Sequence, residues 1–121
     1  MTSMKATDCT SGKELARDLA VADTLFTRLK GLLGKSTLPA GEGLWIKPCN
    51  SIHTFGMKFP IDVVFLDKGK HVVGVAKALR PNRVSRIYSG ASSVIELPAG
   101  TIDAAGSCVG NEVAIDGVFK I

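Results

Sequence analysis

Short β-branched runs, 13 glycines in 121 residues and a single strongly periodic helix predict a mainly β fold of α+β type. The expected architecture is a compact antiparallel β-barrel or sandwich. One main helix is expected near residues 23–33 and a short helix near 99–105. The apolar content of 45% suits a globular core and excludes disorder. A chain of this length fits one domain, residues 1–121, that buries roughly two-thirds of its unfolded surface. It contains no internal repeat, low-complexity tract or domain linker.

Residues 4–10 and Glu14 to Ala22 flank Ser11-Gly12-Lys13, which reads as a turn. Leu15, Ala16, Leu19 and Ala20 would also share a helical face, but the stronger helix follows, so a hairpin is expected here. Asp23 is the expected N-cap, its carboxylate accepting from the amide of Phe26. Leu25, Phe26, Leu29, Leu32 and Leu33 then recur at helical spacing, Arg28 and Lys30 suit the C-terminal dipole, and Gly34 is expected to end the helix. Residues 36–43 read as a loop. Leu44-Trp45-Ile46 reads as a strand broken by Pro48, with Trp45 as a core anchor.

Ile61 to Asp67 and His71 to Ala78 form a predicted hairpin around Lys68-Gly69-Lys70. Ser92 to Leu97 is a further strand ended by Pro98. Ala99 to Ala105 allows one or two helical turns. Residues 112–116 and 118–119 close the chain as strands.

The net charge of +4 and pI of about 9.1 are mildly basic. The densest cationic group, Lys77, Arg80, Arg83 and Arg86, has no aromatic interleaved before Tyr88. A solvated face is expected there, with no nucleic-acid partner. Cys9, Cys49 and Cys108 are odd in number and form no Cys-x-x-Cys pair, so a thioredoxin-type site and a zinc ribbon are unsupported. Free thiols in a reducing compartment are the simpler account. The N-terminus lacks a signal-peptide apolar region, and no run approaches the roughly 20 residues that span a bilayer. A cytoplasmic monomer without a membrane partner is expected.

The candidate site lies in Cys49 to Asp67. Cys49, His53 and Met57 recur every fourth residue, a donor set that would suit a soft metal if the chain coiled. On a straight strand each step spans roughly 13 Å, and Met and buried Cys more often fill a core. No metal and no cofactor are therefore expected. His53 and Thr54 belong to a polar segment between apolar strands, as a pocket mouth requires. Asp62 interrupts an apolar run, where a carboxylate is costly unless paired or hydrogen-bonded. It either clamps backbone amides or orients His53 for acid/base work, with Cys49 as a possible nucleophile.

Thr27 to Leu33, Gly43 to Ile46, Thr54 to Asp67, Glu96 to Gly100 and Gly110 to Val113 together resemble a small prokaryotic family, domain-of-unknown-function family 192. The resemblance covers about residues 20–116. Its hallmark of a Met-Lys/Arg step followed by Pro-Ile/Leu-Asp falls on Met57, Lys58, Pro60, Ile61 and Asp62. It implies a compact β-rich domain and no established activity. Many members carry a leader, which is not seen before this domain, and Asn111-Glu112 stands where the family often has Gly-Asp.

Three functions compete. The favoured one is a module binding a small molecule or peptide in a pocket lined by Trp45, His53, Thr54, Met57 and Asp62. The second is a small enzyme using His53 and Asp62 as acid/base, with Cys49 as nucleophile. The third is a structural or interaction domain in which the stretch is only core.

Overall fold

β4 (Ile61–Leu66) is buried at all six positions and organises the fold. A strand buried on both faces needs a layer on each side, and both layers are present. The structure, a computed structural model, describes residues 2–119. Met1, Lys120 and Ile121, expected within the domain, and the side chain of Phe26, expected on the helix face, lie outside the described residues.

The remaining elements are β1 (Thr2–Asp8), β2 (Lys13–Ala22), α1 (Leu25–Lys30), β3 (Glu42–Ile46), β5 (Val72–Leu79), β6 (Ser93–Pro98), α2 (Thr101–Ala105) and β7 (Val113–Phe119). The strands form one sheet in the order β5-β4-β6-β3-β2-β1-β7. The β1–β2 and β4–β5 hairpins match the sequence reading. The sheet curls into a half-barrel. Its two edges meet at one end, where the Val72 amide donates to Asn111 O at 2.8 Å and the Val113 amide to Lys70 O at 2.9 Å. A His71–Glu112 bridge completes that seam.

One pairing departs from the antiparallel expectation: β2 and β3 run parallel. Parallel neighbours need a crossover, and α1 with the loop to residue 41 supplies it. The main helix is also shorter than expected. Its N-cap is Thr24 rather than Asp23, because the Thr24 and Thr27 hydroxyls satisfy each other's backbone amides at 3.1 and 3.0 Å. Gly31, at φ +48°, ends it three residues before Gly34. Residues 113–119 form one strand rather than two.

Alternation along β4 separates two cores. Val64 and Leu66 pack with Leu19, Trp45, Ile95, Leu97 and Ile102 of α2. Ile61, Val63 and Phe65 pack on the other face with Leu32, Ile46, Ile52, Met57 and Val94. This second face is covered by Leu32 and Leu33 just after α1, the loop 47–60 and residues 80–91. No helix among the described residues is long and apolar enough to cross a membrane.

Candidate functional site

After Pro48 the chain leaves the sheet and crosses the second core as a loop. It is pinned by residues 83–85: the Thr54 amide donates to Arg83 O at 2.8 Å and the Ser85 amide to Ile52 O at 2.9 Å. A turn then follows, with the Met57 amide donating to Thr54 O at 3.1 Å and Gly56 at φ +79°. This turn brings Cys49, His53 and Met57 around one cleft, which a straight strand could not do. Arg28 and Leu29 of α1 form the facing wall, and Glu96 of β6 forms the floor. The cleft holds about 140 Å³.

Glu96 sits opposite Leu44 of β3 and Val63 of β4, in the middle of the sheet. It is 4% exposed. Among the described residues no group hydrogen-bonds or ion-pairs with its carboxyl. Burial pushes that carboxyl up to about 7. The Arg28 Nε is likewise buried without an acceptor among the described residues, while Nη1 donates to Pro48 O at 3.4 Å. An unpaired buried donor or acceptor costs about 1–3 kcal/mol. The cleft therefore presents one unsatisfied acid at its floor, with the unsatisfied Arg28 Nε sealed in the wall beside it and apolar surface at Leu29, Leu33 and Met57.

Cys49 is half-buried, and its thiol donates to Ser51 O at 3.0 Å. Burial pushes the thiol up; the Glu96 charge adds to this and Arg28 opposes it. Such a thiol is a poor nucleophile near neutral pH. His53 stands exposed at the mouth, its Nδ1 accepting from the Phe55 amide at 3.3 Å and its ring stacked on Phe55 at 5.4 Å. An accepting Nδ1 puts the proton of the neutral ring on Nε2.

The other expected pocket residues stand elsewhere. Thr54 is fully buried, and its hydroxyl donates to Arg80 O at 2.6 Å and accepts from the Arg83 amide at 2.8 Å. Asp62 does not meet His53. It pairs across the sheet with Leu97, on the face away from the cleft. Its Oδ1 accepts from the Ala78 amide at 2.8 Å, and its Oδ2 accepts from the Gly100 and Ile102 amides at 3.1 and 2.9 Å. Both oxygens are thus engaged in clamping the start of α2 and the end of β5, so Asp62 cannot orient the imidazole. Trp45 faces the α2 side as well, under the Lys47 ammonium at 4.1 Å. Of the five residues expected in one pocket, only His53 and Met57 line the cleft.

Glu96 and Arg28 were not among the sequence candidates. Glu96 interrupts the apolar run Val94 to Leu97 just as Asp62 interrupts its own strand. The same rule of a costly buried carboxylate finds both. Arg28 gave no signal beyond helix-end charge. Among the described residues no group of three His, Cys, Asp or Glu side chains is arranged to hold a metal.

Comparison with known proteins bears on these same segments. Residues 6–115 match the model of domain-of-unknown-function family 192, described as "Uncharacterized ACR". A UPF0127 protein of Thermococcus sibiricus is 36% identical over 109 residues, covering 86% of this chain and 70% of its own. A UPF0127 protein of Pyrococcus furiosus is 30% identical over 109 residues, covering 86% and 91%. A crystal structure of a protein of unknown function from Novosphingobium aromaticivorans superposes with a TM-score of 0.79 at 21% identity, covering 92% of this chain and 82% of that one. The segments that carry the family resemblance supply the helix wall at Arg28, the turn at Met57, the floor at Glu96 and the Asp62 clamp. With the match running from β1 into β7, the chain belongs to domain-of-unknown-function family 192.

Proposed function

We propose that the protein is a small-ligand-binding module whose ligand enters the cleft beside α1 and meets Glu96 at its floor. The observation that carries this reading is a carboxyl, buried in mid-sheet, that has no hydrogen-bond partner among the described residues and faces a cavity of about 140 Å³. A ligand offering a hydrogen-bond donor to Glu96 would relieve that carboxyl, with the Arg28 side chain in the facing wall. Leu29 and Met57 favour an apolar portion between them. The size suits a molecule of few heavy atoms, since an apolar cavity of about 150 Å³ accommodates benzene. The unpaired thiols of Cys9, Cys49 and Cys108 are compatible with the cytoplasm.

A thermal-shift screen of small polar molecules tests the reading. Ligands at a hundred times their dissociation constant should add about 2.7 kcal/mol of stability to the native chain. The gain should vanish in Glu96→Leu, which removes the carboxyl and fills the floor. Equal shifts in both proteins would refute the assignment.

A second reading is favoured by the Glu96 carboxyl standing at about 7. A group near the operating pH can both give and take a proton, so Glu96 would serve as general acid/base with His53 at the mouth. Cys49 has no nucleophilic part in that reading. Alkylation by iodoacetamide at neutral pH should label the exposed Cys9 and Cys108 ahead of Cys49. Preferential labelling of Cys49 would restore it as a nucleophile.

A further inference from the structure

We propose a second site, separate from the Glu96 cleft, that binds the phosphate group of a small phosphorylated molecule. It is the hollow of about 410 Å³ at the end of the other sheet face, lined by Trp45, Lys47, Lys68, Lys70, Ser93 and the neighbouring Asp67. The topology gathers these side chains. Trp45 of β3 pairs with Ile95 of β6, so Trp45, Lys47 and Ser93 share one face. The turn joining β4 to β5 then brings Lys68 and Lys70 over the end of that face.

Two features point to an oxyanion. None of the three lysine ammonium groups is ion-paired among the described residues, where the ion pairs are Lys5–Glu14, His71–Asp67 and Lys77–Asp103. Ser93 is 5% exposed, and its hydroxyl has no hydrogen-bond partner among the described residues. The Lys47 ammonium lies over the Trp45 ring at 4.1 Å, which holds that lysine beside the hollow. Three unpaired ammonium groups and a hydroxyl thus gather around one hollow.

Two carboxylates line the same hollow, and they differ. Asp67 is committed to its turn: its Oδ1 accepts from the His71 amide at 2.8 Å and pairs with His71 Nδ1 at 3.5 Å. Asp23 has no hydrogen-bond or ion-pair partner among the described residues and opposes the lysines. A phosphate monoester brings close to two negative charges and three acceptor oxygens near neutral pH, enough to engage three ammonium groups and a hydroxyl. A carboxylate brings half the charge and two oxygens. Lysine binds phosphate as a point charge, so the hollow needs no planar fork.

Trp45 is the chain's only tryptophan, so its emission reports on this hollow. The native protein is titrated with inorganic phosphate, glycerol phosphate and acetate, each against sodium chloride at equal ionic strength. Both phosphates should produce a saturable change in emission, and acetate and chloride should not. Tighter binding of glycerol phosphate would mark an ester as the ligand, and equal binding would mark the free anion. Lys68→Gln with Lys70→Asn, which suits the left-handed backbone at residue 70, should weaken binding about tenfold. Asp23→Asn should tighten it about threefold. All three sites are at the surface, so the variants should fold. A response matched by chloride or acetate, or affinities unchanged in both variants, would overturn the proposal.

Discussion

Two carboxylates placed in the middle of apolar strands meet opposite fates. Asp62 accepts three backbone amides, so its burial is compensated. Asp62→Ala should cost about 3 kcal/mol by leaving those amides unpaired, read as a drop in the urea midpoint, with the start of α2 exchanging hydrogen faster. Glu96 has no such partners, and the consequence is a pH dependence of defined sign. Its folded value is about 7 against an ordinary value of 4.5, so the folded chain holds the extra proton between those limits. Stability therefore falls as pH rises through that window and levels off above it. Glu96→Gln has no charge to bury. It should gain on the native chain by about 3 kcal/mol near pH 8 and by little near pH 4.5, measured as the difference in thermal unfolding between the two proteins. A constant difference across pH would mean that Glu96 is solvated through the cleft.

Strands and helices differ in how plainly the sequence announces them. The β4–β5 hairpin was legible because Lys68-Gly69-Lys70 separates two runs rich in β-branched residues. The helix was legible from the spacing of Leu25 and Leu29, but its packing and its ends were not: both leucines are 68% exposed, and Leu32, which does pack in the core, lies beyond the last turn. Asp23 looks the better cap, yet Thr24 has the reciprocal partner Thr27 three residues on, and the pair decides where the first turn begins. Thr24→Ala should cost about 1 kcal/mol in thermal unfolding, and Asp23→Ala close to none. The short helix makes one wall of the cleft, so the same substitution should also weaken any ligand that needs Arg28. The cleft itself was only half legible. His53, Met57 and Cys49 come from one continuous loop whose polar residues stand out, and they converge because Gly56 allows a turn. Glu96 and Arg28 arrive from a strand 39 residues after Met57 and a helix 21 residues before Cys49, and local periodicity carries no trace of that approach.

The whole molecule is held by a seam that the chain order conceals. β5 and β7 are the outer strands of the sheet, yet residues 70–72 bond to residues 110–113 and close one end of the curl. Asp8 at the end of β1 anchors that closure. It is fully buried, and its carboxylate accepts from the Ser107 hydroxyl, from Asn111 Nδ2 at 2.9 Å and from the amides of Thr10 and Ser11 at 3.0 and 2.9 Å. Burial pushes its carboxyl up, but these four donors outweigh burial and hold it below the usual aspartate value of 3.8. The seam's contribution is thus complete above that value and is lost as pH falls through the lower, folded value. Asp8→Asn keeps the shape, but its amide group cannot accept where Oδ2 did, so Asn111 Nδ2 loses its acceptor and the Ser107 hydroxyl must turn to accept instead. The variant should lose about 2 kcal/mol at neutral pH and show a flatter acid limb than the native chain. Hydrogen exchange localises the loss: the Val72 and Val113 amides should be deprotected before those of β4, which both cores bury. Uniform deprotection across the sheet would show that the seam is not a separate unit and that the half-barrel opens only as a whole.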